Sequence, residues 1–325
     1  MKLSNQANRK QQAKNQAAVD GDSNPSKPQG RRGKPQTSTR KGVAKVDTDR
    51  NFDDLAQRFK RNIYGTLKGK IRLSVLQRDF AAHIPELRLQ ATDGLTNETS
   101  IANPLSVLDA GAGQAQFSMT LAERGCELVI NDISTEMLKL AMENITDQGA
   151  DTVDLLDRVQ ILQCPIQDLQ NQLLRNHHHQ QFDIIICHAV IEWLANPQGL
   201  FDHLMPLLKP GGYLSLTFYN INGLAFKNLL RTNYHKFDID NFTAFPGSLT
   251  PTHPQDPQQV LRWMEQHKLE VLCKSGIRVF HDFIMSPEDR NREPEALVEK
   301  ELDYSQREPF WQMARYIHFL AKAGK

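Results

Sequence analysis

No stretch of the 325-residue sequence approaches the roughly 18 uninterrupted apolar residues that a membrane-spanning helix requires. The first residues carry no apolar core of the signal-peptide kind either, so neither a membrane protein nor a secreted one is expected. Cysteine is scarce: Cys126, Cys164, Cys187 and Cys273 stand 38, 23 and 86 residues apart. That spacing makes no CxxC pair and no disulfide framework, and it fits the reduced thiols of a cytoplasmic protein. The histidine run His177-His178-His179 has no second ligand cluster at metal spacing, so a solvated loop is expected there and no metal centre. The first 48 residues lack Phe, Trp, Tyr and Ile altogether, and such a segment cannot bury enough apolar surface to offset its ordering entropy. Residues 1–48 are therefore expected to be a disordered tail.

That tail is basic. Residues 1–45 hold eleven Lys or Arg against Asp20 and Asp22, a balance of +9. Residues 46–325 carry 28 basic against 36 acidic residues, −8, so the formal net charge of +1 hides an asymmetry. Two readings are open for the tail, a nonspecific attraction for polyphosphate and a plain solubility extension.

Order is expected from Asp49, in a domain spanning 49–325. Phe52, Leu55 and Phe59 fall at helical spacing, and after a break at Gly65 and Gly69 the stripe resumes with Ile71, Val75 and Phe80, which predicts two N-terminal helices. Strands are then expected at Ser106–Asp109, Glu127–Asp132, Val159–Cys164, Phe182–His188 and Tyr213–Phe218. Helices are expected at Gln114–Arg124, Thr135–Gln148 and Pro197–Leu208, the last ended by Lys209-Pro210-Gly211-Gly212. This alternation argues for an α/β fold with a Rossmann-like, mostly parallel, seven-stranded sheet. An irregular insertion at about 220–256 follows, then a helix Pro257–His267, β-rich stretches at Leu269–Phe283 and Tyr316–Ala321, and between them a charged helix Pro287–Tyr304. Long irregular insertions usually serve function.

The strongest local signal is Val107-Leu108-Asp109-Ala110-Gly111-Ala112-Gly113-Gln114-Ala115-Gln116, a strand entering a glycine turn that opens a helix. A dinucleotide fingerprint would place a third glycine where Gln116 stands, and its absence weakens that reading. Asp109, two positions before Gly111, instead suits a ligand with a cationic amino-acid end, as in S-adenosylmethionine. Asp132 lies 19 residues after Gly113 at the end of the second strand. It could accept both hydroxyls of an adenosine ribose, or cap the helix that follows. Pro165-Ile166-Gln167-Asp168 lies where an adenine would rest or forms a surface turn. His188 falls at the carboxyl edge of the fourth strand, as a ligand contact or as a hydrogen-bonded structural group.

Together with Asp49-Arg50-Asn51-Phe52-Asp53-Asp54, Arg61-Asn62-Ile63-Tyr64-Gly65-Thr66, Lys68-Gly69, His188-Ala189-Val190-Ile191-Glu192-Trp193, Phe218-Tyr219-Asn220, Arg278-Val279-Phe280-His281-Asp282 and Arg315-Tyr316-Ile317-His318, these motifs give a chain that resembles the CmoM family. These are the tRNA 5-carboxymethoxyuridine methyltransferases, within the class I S-adenosylmethionine-dependent methyltransferases. The resemblance covers residues 49–323 and not the tail. It implies methyl esterification of the 5-carboxymethoxyuridine carboxylate at the tRNA wobble position. The implied cofactor contacts are Arg72, Gly111, Ala112, Asp132, Ile166, Gln167 and His188. Ala112 and Ala115 stand where glycines are often found in this turn. A carboxylate nucleophile is already ionised at neutral pH, so no general base is expected, and catalysis can rest on positioning and exclusion of water. Tyr64, Tyr219, Arg278 and His281 are candidates for holding the acceptor, and Lys227, Arg231, Tyr234, His235 and Lys236 for contacting tRNA or for solvating a lid. The alternatives are a methyltransferase for a small carboxylic acid, which the acidic body favours, and an RNA-associated cofactor-binding protein without turnover. The oligomeric state is not legible.

Overall fold

The computed structural model describes residues 48–59, 66–87, 104–146, 152–176, 181–238 and 251–324. The basic tail, Tyr64, the histidine run 177–179 and part of the insertion therefore lie outside the described residues, apart from residue 48. Seven strands form one sheet: β1 Ser106–Ala110, β2 Glu127–Asp132, β3 Val159–Gln163, β4 Phe182–His188, β5 Leu208–Tyr219, β6 Leu269–Ile277 and β7 Tyr316–Ala323. Their order is β3-β2-β1-β4-β5-β7-β6. The first five are parallel, and β7 runs antiparallel between β5 and β6. The chain reverses its direction of travel across the sheet between β1 and β4, which opens a crevice at their carboxyl ends.

The strands are apolar on both faces because helices cover both. Leu108, Ile185, Leu216 and Phe319 point to one face, where they pack with Leu169, Leu204, Val260 and Trp311. Val107, Ile184, Ile186 and Leu320 point to the other, with Val75, Phe80, Phe117 and Leu138. This period-two alternation between two buried faces is the pattern of a parallel sheet sandwiched by helices.

The described helices are α1 Ala56–Phe59, α2 Leu67–His83, α3 Gln116–Ala122, α4 Thr135–Thr146, α5 Thr152–Asp157, α6 Leu169–Arg175, α7 Leu200–Leu204, α8 Ile221–Leu230, α9 His235–Asp238, α10 Pro257–Gln266, α11 Pro287–Arg292, α12 Pro294–Tyr304 and α13 Phe310–Met313. Several differ from the sequence reading for identifiable reasons. Gly69 is no break: it is buried inside α2. Ala115 adopts φ +53°, so α3 begins only at Gln116. Pro294 has no N–H to continue a helix and restricts Glu293, so the charged helix divides into α11 and α12. Lys209-Pro210-Gly211-Gly212 belongs to β5, where Leu208 pairs with Phe182 ahead of a register shift. β6 stops at Ile277 because Arg278 turns to φ +62°. The insertion opens with a regular helix, α8, capped by Asn220, whose Oδ1 accepts from Asn222 N at 3.0 Å.

Candidate active site

The carboxyl ends of β1, β2 and β4 frame a cleft that is open to solvent. At its base, Gly111 has φ +72° and Gly113 φ +57°. A Cβ on Gly111 would stand 2.5 Å from Val190 Cγ2, so this position is closed to any side chain. Ala112 N donates to Asn131 O at 2.8 Å, tying the turn to β2. Asp132 holds it from the other side, accepting from Gly113 N and from Ser134 N, each at 2.8 Å. Burial raises the Asp132 pKa, and these backbone donors oppose the rise.

The helix-cap reading of Asp132 has competitors in the structure. At the N-terminus of α4, Met137 N donates to Ser134 Oγ at 3.1 Å, while Glu136 N and Ser134 Oγ both donate to Asp53 Oδ1. The anion at that helix N-terminus is thus Asp53, brought from the N-terminal segment. Asp132 spends one bond on the glycine turn and one on the chain before the helix, and it lines the cleft.

The same segment walls the cleft. Asp49 accepts from Ala195 N and from Gln167 Nε2, both at 2.8 Å, and Phe52 meets Trp193 edge to face at 4.8 Å between centroids. Residues 49–53 therefore form a strap across the cleft whose role the helical periodicity of Phe52 and Leu55 did not reveal. The recurring acids Asp49 and Asp53 were the available signal. Cys164, Pro165, Ile166, Met137 and Leu194 complete an apolar wall.

Arg72 reaches the cleft from α2, one turn after Lys68. It also lines a small adjoining cavity with Asp109, Ala112 and His188. Asp109 is buried, and Ser118 Oγ donates to its Oδ2 at 2.5 Å. Burial pushes its pKa up to about 7, against the pull of Ser118 and Arg72. His188 is buried at the end of β4, and burial, reinforced by Arg72, holds its ring well below the usual histidine range, hence neutral.

A second group of side chains lies on the β6–β7 side. Asp282 is buried and faces Arg278 Nη1 at 3.7 Å, Arg315 Nε at 3.4 Å and His281 Nδ1 at 2.9 Å. Burial opposes its ionisation, but Arg278, the His281 hydrogen bond, Lys227 and Arg315 outweigh that and hold it far below the usual carboxylate range. The turn carrying these residues is pinned by Glu301, whose two oxygens accept from the N–H groups of Val279, Phe280 and His281. Arg278 lies over the Tyr316 ring at 5.1 Å and Arg315 over the Tyr219 ring at 4.4 Å. Lys227, half-buried on α8, is pushed down to about 8 by burial and by Arg315, Arg231 and Arg278, against the pull of Asp282. Lys68 is lowered too, chiefly by burial. Four basic side chains, Lys68, Lys227, Arg278 and Arg315, thus converge on one ionised carboxylate. Arg315 Nη1 and the Tyr219 hydroxyl are buried with no hydrogen-bond partner among the described residues.

Of the residues singled out from sequence, Arg72, Gly111, Ala112, Asp132, Ile166, His188 and Arg278 line one cleft. Gln167 does not: it is exposed and braces Asp49. Tyr219 is buried beneath Tyr316, which lines the cleft in its place, and His281 points to Asp282. Lys227 belongs to the basic cluster, while Arg231, Tyr234 and His235 are exposed and Lys236 is half-buried. Sequence reading assigned no role to Arg315 or Asp282, although both stand inside quoted motifs. Among the described residues one group of metal-ligating types occurs, Asp79, Cys273 and His318. Its carboxylate is engaged by Arg78, and burial pushes the Cys273 thiol up to about 12. No described helix is long and apolar enough to cross a membrane.

Comparison with known proteins matches this geometry. A family model described as "Methyltransferase domain" matches residues 108–216, from β1 into β5. The tRNA 5-carboxymethoxyuridine methyltransferase of Escherichia coli (strain K12) is 36% identical over 274 residues, covering 84% of this chain and 96% of that protein. A ubiquinone biosynthesis O-methyltransferase of Psychrobacter cryohalolentis is 31% identical over 116 residues, 36% of this chain and 41% of that protein. Among solved structures, magnesium protoporphyrin IX methyltransferase from Synechocystis PCC 6803 with bound SAH superposes with a TM-score of 0.52 at 14% identity, covering 84% of this chain and 96% of that one. That likeness concerns the fold. With that identity to the Escherichia coli enzyme over most of both chains, the chain belongs to the family of tRNA 5-carboxymethoxyuridine methyltransferases, class I enzymes that use S-adenosylmethionine as methyl donor.

Proposed function

We propose that the enzyme methylates the carboxylate of 5-carboxymethoxyuridine at the wobble position of tRNA, giving the methyl ester 5-methoxycarbonylmethoxyuridine. The observation that carries this reading is the basic cluster beside the cofactor cleft, with four cationic side chains against one carboxylate and a buried guanidinium nitrogen, Arg315 Nη1, without a partner. Such a pocket is complete only when an anion enters it. The acceptor carboxylate is that anion, held by Arg278 and Arg315 and facing Tyr316, while His281 keeps Asp282 in place.

The cleft fits S-adenosylmethionine: the backbone of Gly111, Ala112 and Gly113 lines it, Asp132 is a buried acceptor beside that turn, and Ile166 offers an apolar face. Arg72 would pair with the cofactor carboxylate, the backbone of Gly111 and Ala112 would lie against its amino-acid end, and Asp132 would accept the ribose hydroxyls. When bound, the cofactor supplies an electrophilic methyl group. The protein need remove no proton, because the nucleophile arrives ionised. Its residues orient two ligands and exclude water. Glu192, buried between the two halves, is pushed up to about 8 by burial, so it is a neutral acid at pH 7 and adds no charge that would repel the acceptor.

For the tRNA, Arg231 and Tyr234 after α8 and His235 and Lys236 on α9 offer phosphate contacts and a stacking ring beside the acceptor pocket. The tail of residues 1–48 adds a nonspecific cationic contact. The acidic balance of residues 46–325 favours a small carboxylic acid as acceptor instead, and one assay separates the two. With labelled S-adenosylmethionine, tRNA from cells that make 5-carboxymethoxyuridine should accept methyl and tRNA from cells that cannot make it should not. Equal labelling of both tRNAs, or labelling of small acids alone, would overturn the reading.

A further inference from the structure

The cofactor cleft is joined to the interior by a chain of hydrogen bonds that carboxylate methylation, which releases no proton, does not consume. His188 Nε2 lies 2.7 Å from Ser215 Oγ, Ser215 Oγ lies 2.9 Å from His318 Nε2, and His318 Nδ1 lies 2.7 Å from Asp79 Oδ2. The four residues come from β4, β5, β7 and α2, and Ser215, His318 and Asp79 are sealed from solvent. Adjacent register places the three strand residues on one face, since His188 pairs with Thr217 and Thr217 with His318.

The far end of this chain sets its direction. Asp79 Oδ1 accepts from Arg78 Nε at 3.0 Å, from Arg78 Nη2 at 2.7 Å and from Gln306 Nε2 at 3.1 Å. These contacts and His318 outweigh burial and keep the carboxyl below its ordinary range, so it is an anion that can only accept. His318 Nδ1 must then carry the proton. Because Arg78 already balances the charge of Asp79, the buried ring needs no second positive charge. A neutral ring with its proton on Nδ1 has a bare Nε2, which accepts the Ser215 hydroxyl proton. Ser215 Oγ, having donated, accepts from His188, whose proton must therefore sit on Nε2. The other nitrogen, Nδ1, is left without a proton and without a protein partner among the described residues, on a ring that lines both the cleft and the small cavity beside Arg72 and Asp109.

We propose that Asp79, His318 and Ser215 are positioning residues that fix His188 as the Nε2–H tautomer, so that its bare Nδ1 accepts a hydrogen bond from the α-ammonium group of the cofactor's amino-acid end. The proposal rests on the reading of this cleft as the cofactor site. An amino-acid end needs a cation for its carboxylate and an acceptor for its ammonium, and Arg72 and His188 line the same small cavity. A histidine free to choose its tautomer would also present Nδ1–H, which repels that ammonium.

The test uses the full chain labelled with nitrogen-15. Two-bond proton–nitrogen spectra of the imidazoles, with His188 assigned through His188→Gln, should show His188 protonated at Nε2 and bare at Nδ1. Its Nδ1 resonance should shift when S-adenosylhomocysteine is added. An Nδ1–H tautomer, or an imidazolium at neutral pH, would overturn the proposal. So would an unmoved His188 ring while the amides of Gly111 and Asp132 respond, whereas no response at any of the three would overturn the cofactor-site reading itself. As a second arm, Ser215→Ala should weaken S-adenosylhomocysteine binding by roughly tenfold. It should leave the affinity for an analogue lacking the α-amino group unchanged. Equal losses for both ligands would make the chain merely structural, and should the variant not fold, the tautomer of the unaltered protein still decides.

Discussion

The two halves of the active site are built by different means. On the β1–β4 side the cleft surface is largely backbone: Gly111 and Gly113 at positive φ, the Ala112 N–H tied to Asn131, and one carboxylate, Asp132, holding the turn. On the β6–β7 side it is charged side chains, with Lys68, Lys227, Arg278 and Arg315 arriving from four separate elements around Asp282. On the proposed reading, a backbone cradle of this kind serves any ligand with the same amino-acid and ribose ends. The side-chain cluster is what can select an acceptor. The family model matches residues 108–216 and stops short of the cluster's Lys227, Arg278, Asp282 and Arg315, in keeping with that division.

The largest expected effect is on the acceptor side. Arg315→Met removes a cation whose Nη1 is buried without a partner and leaves Asp282 short of one counter-charge, a change of the class that costs roughly 3–5 kcal/mol. Turnover at limiting tRNA should fall by two orders of magnitude or more while S-adenosylhomocysteine affinity, measured by calorimetry, is unchanged. A comparable loss of cofactor affinity would erase the distinction between the halves.

On the cofactor side, Asp132→Ala should weaken S-adenosylhomocysteine binding by about 1.5–3 kcal/mol, the worth of a charged acceptor. Part of that loss comes through the glycine turn, since Gly113 N would lose its partner. Gly111→Ala should act in the same direction and also lower the melting temperature, because φ +72° and the Val190 contact both oppose a methyl group. Unchanged affinity in folded Asp132→Ala would return this residue to a purely local role.

An effect on stability rather than on binding concerns Glu192, which lies between the halves. Its carboxyl is held at about 8 in the folded protein against an ordinary value of 4.5, so above pH 4.5 the folded state binds the proton more tightly than the unfolded state does. Stability is therefore lost as pH rises from 4.5 towards 8. Glu192→Gln, which cannot ionise, should be more stable than the unaltered protein by about 4 kcal/mol at pH 8 and by less than about 1 kcal/mol at pH 5. Denaturant titrations at the two pH values check the sign. The smallest effect is expected from deleting residues 1–46, which should raise the apparent KM for tRNA and flatten its salt dependence without altering cofactor affinity. Equal salt slopes would remove the tail from tRNA binding.

The same contrast governs what the sequence could reveal. Strands β1 to β4 were legible almost to the residue, because a sheet covered on both faces writes near-continuous apolar runs such as Phe182-Asp183-Ile184-Ile185-Ile186-Cys187. Elements whose limits depend on a single backbone angle were not, as Ala115, Arg278 and Glu293 illustrate. Helix α8 escaped because Gly223 and three asparagines read as loop. Yet Asn220 is a regular cap, and Gly223 is there because the backbone of Ala314 passes against it. The glycine turn and Asp132 are local signals read at fixed spacing. The pairings of Arg315 with Asp282 and of Ser215 with His318 join residues far apart in the chain, so only the fold assembles them.

The measurement that bears most directly on the acceptor assignment is where the methyl group goes. With S-adenosylmethionine deuterated in its methyl group, nucleoside mass spectrometry of the treated tRNA should place the label on the side chain of the modified wobble uridine, and mild alkali should release it and restore 5-carboxymethoxyuridine. A label that survives mild alkali, or that appears on an unmodified uridine, would contradict the assignment of the basic cluster as a carboxylate-holding pocket.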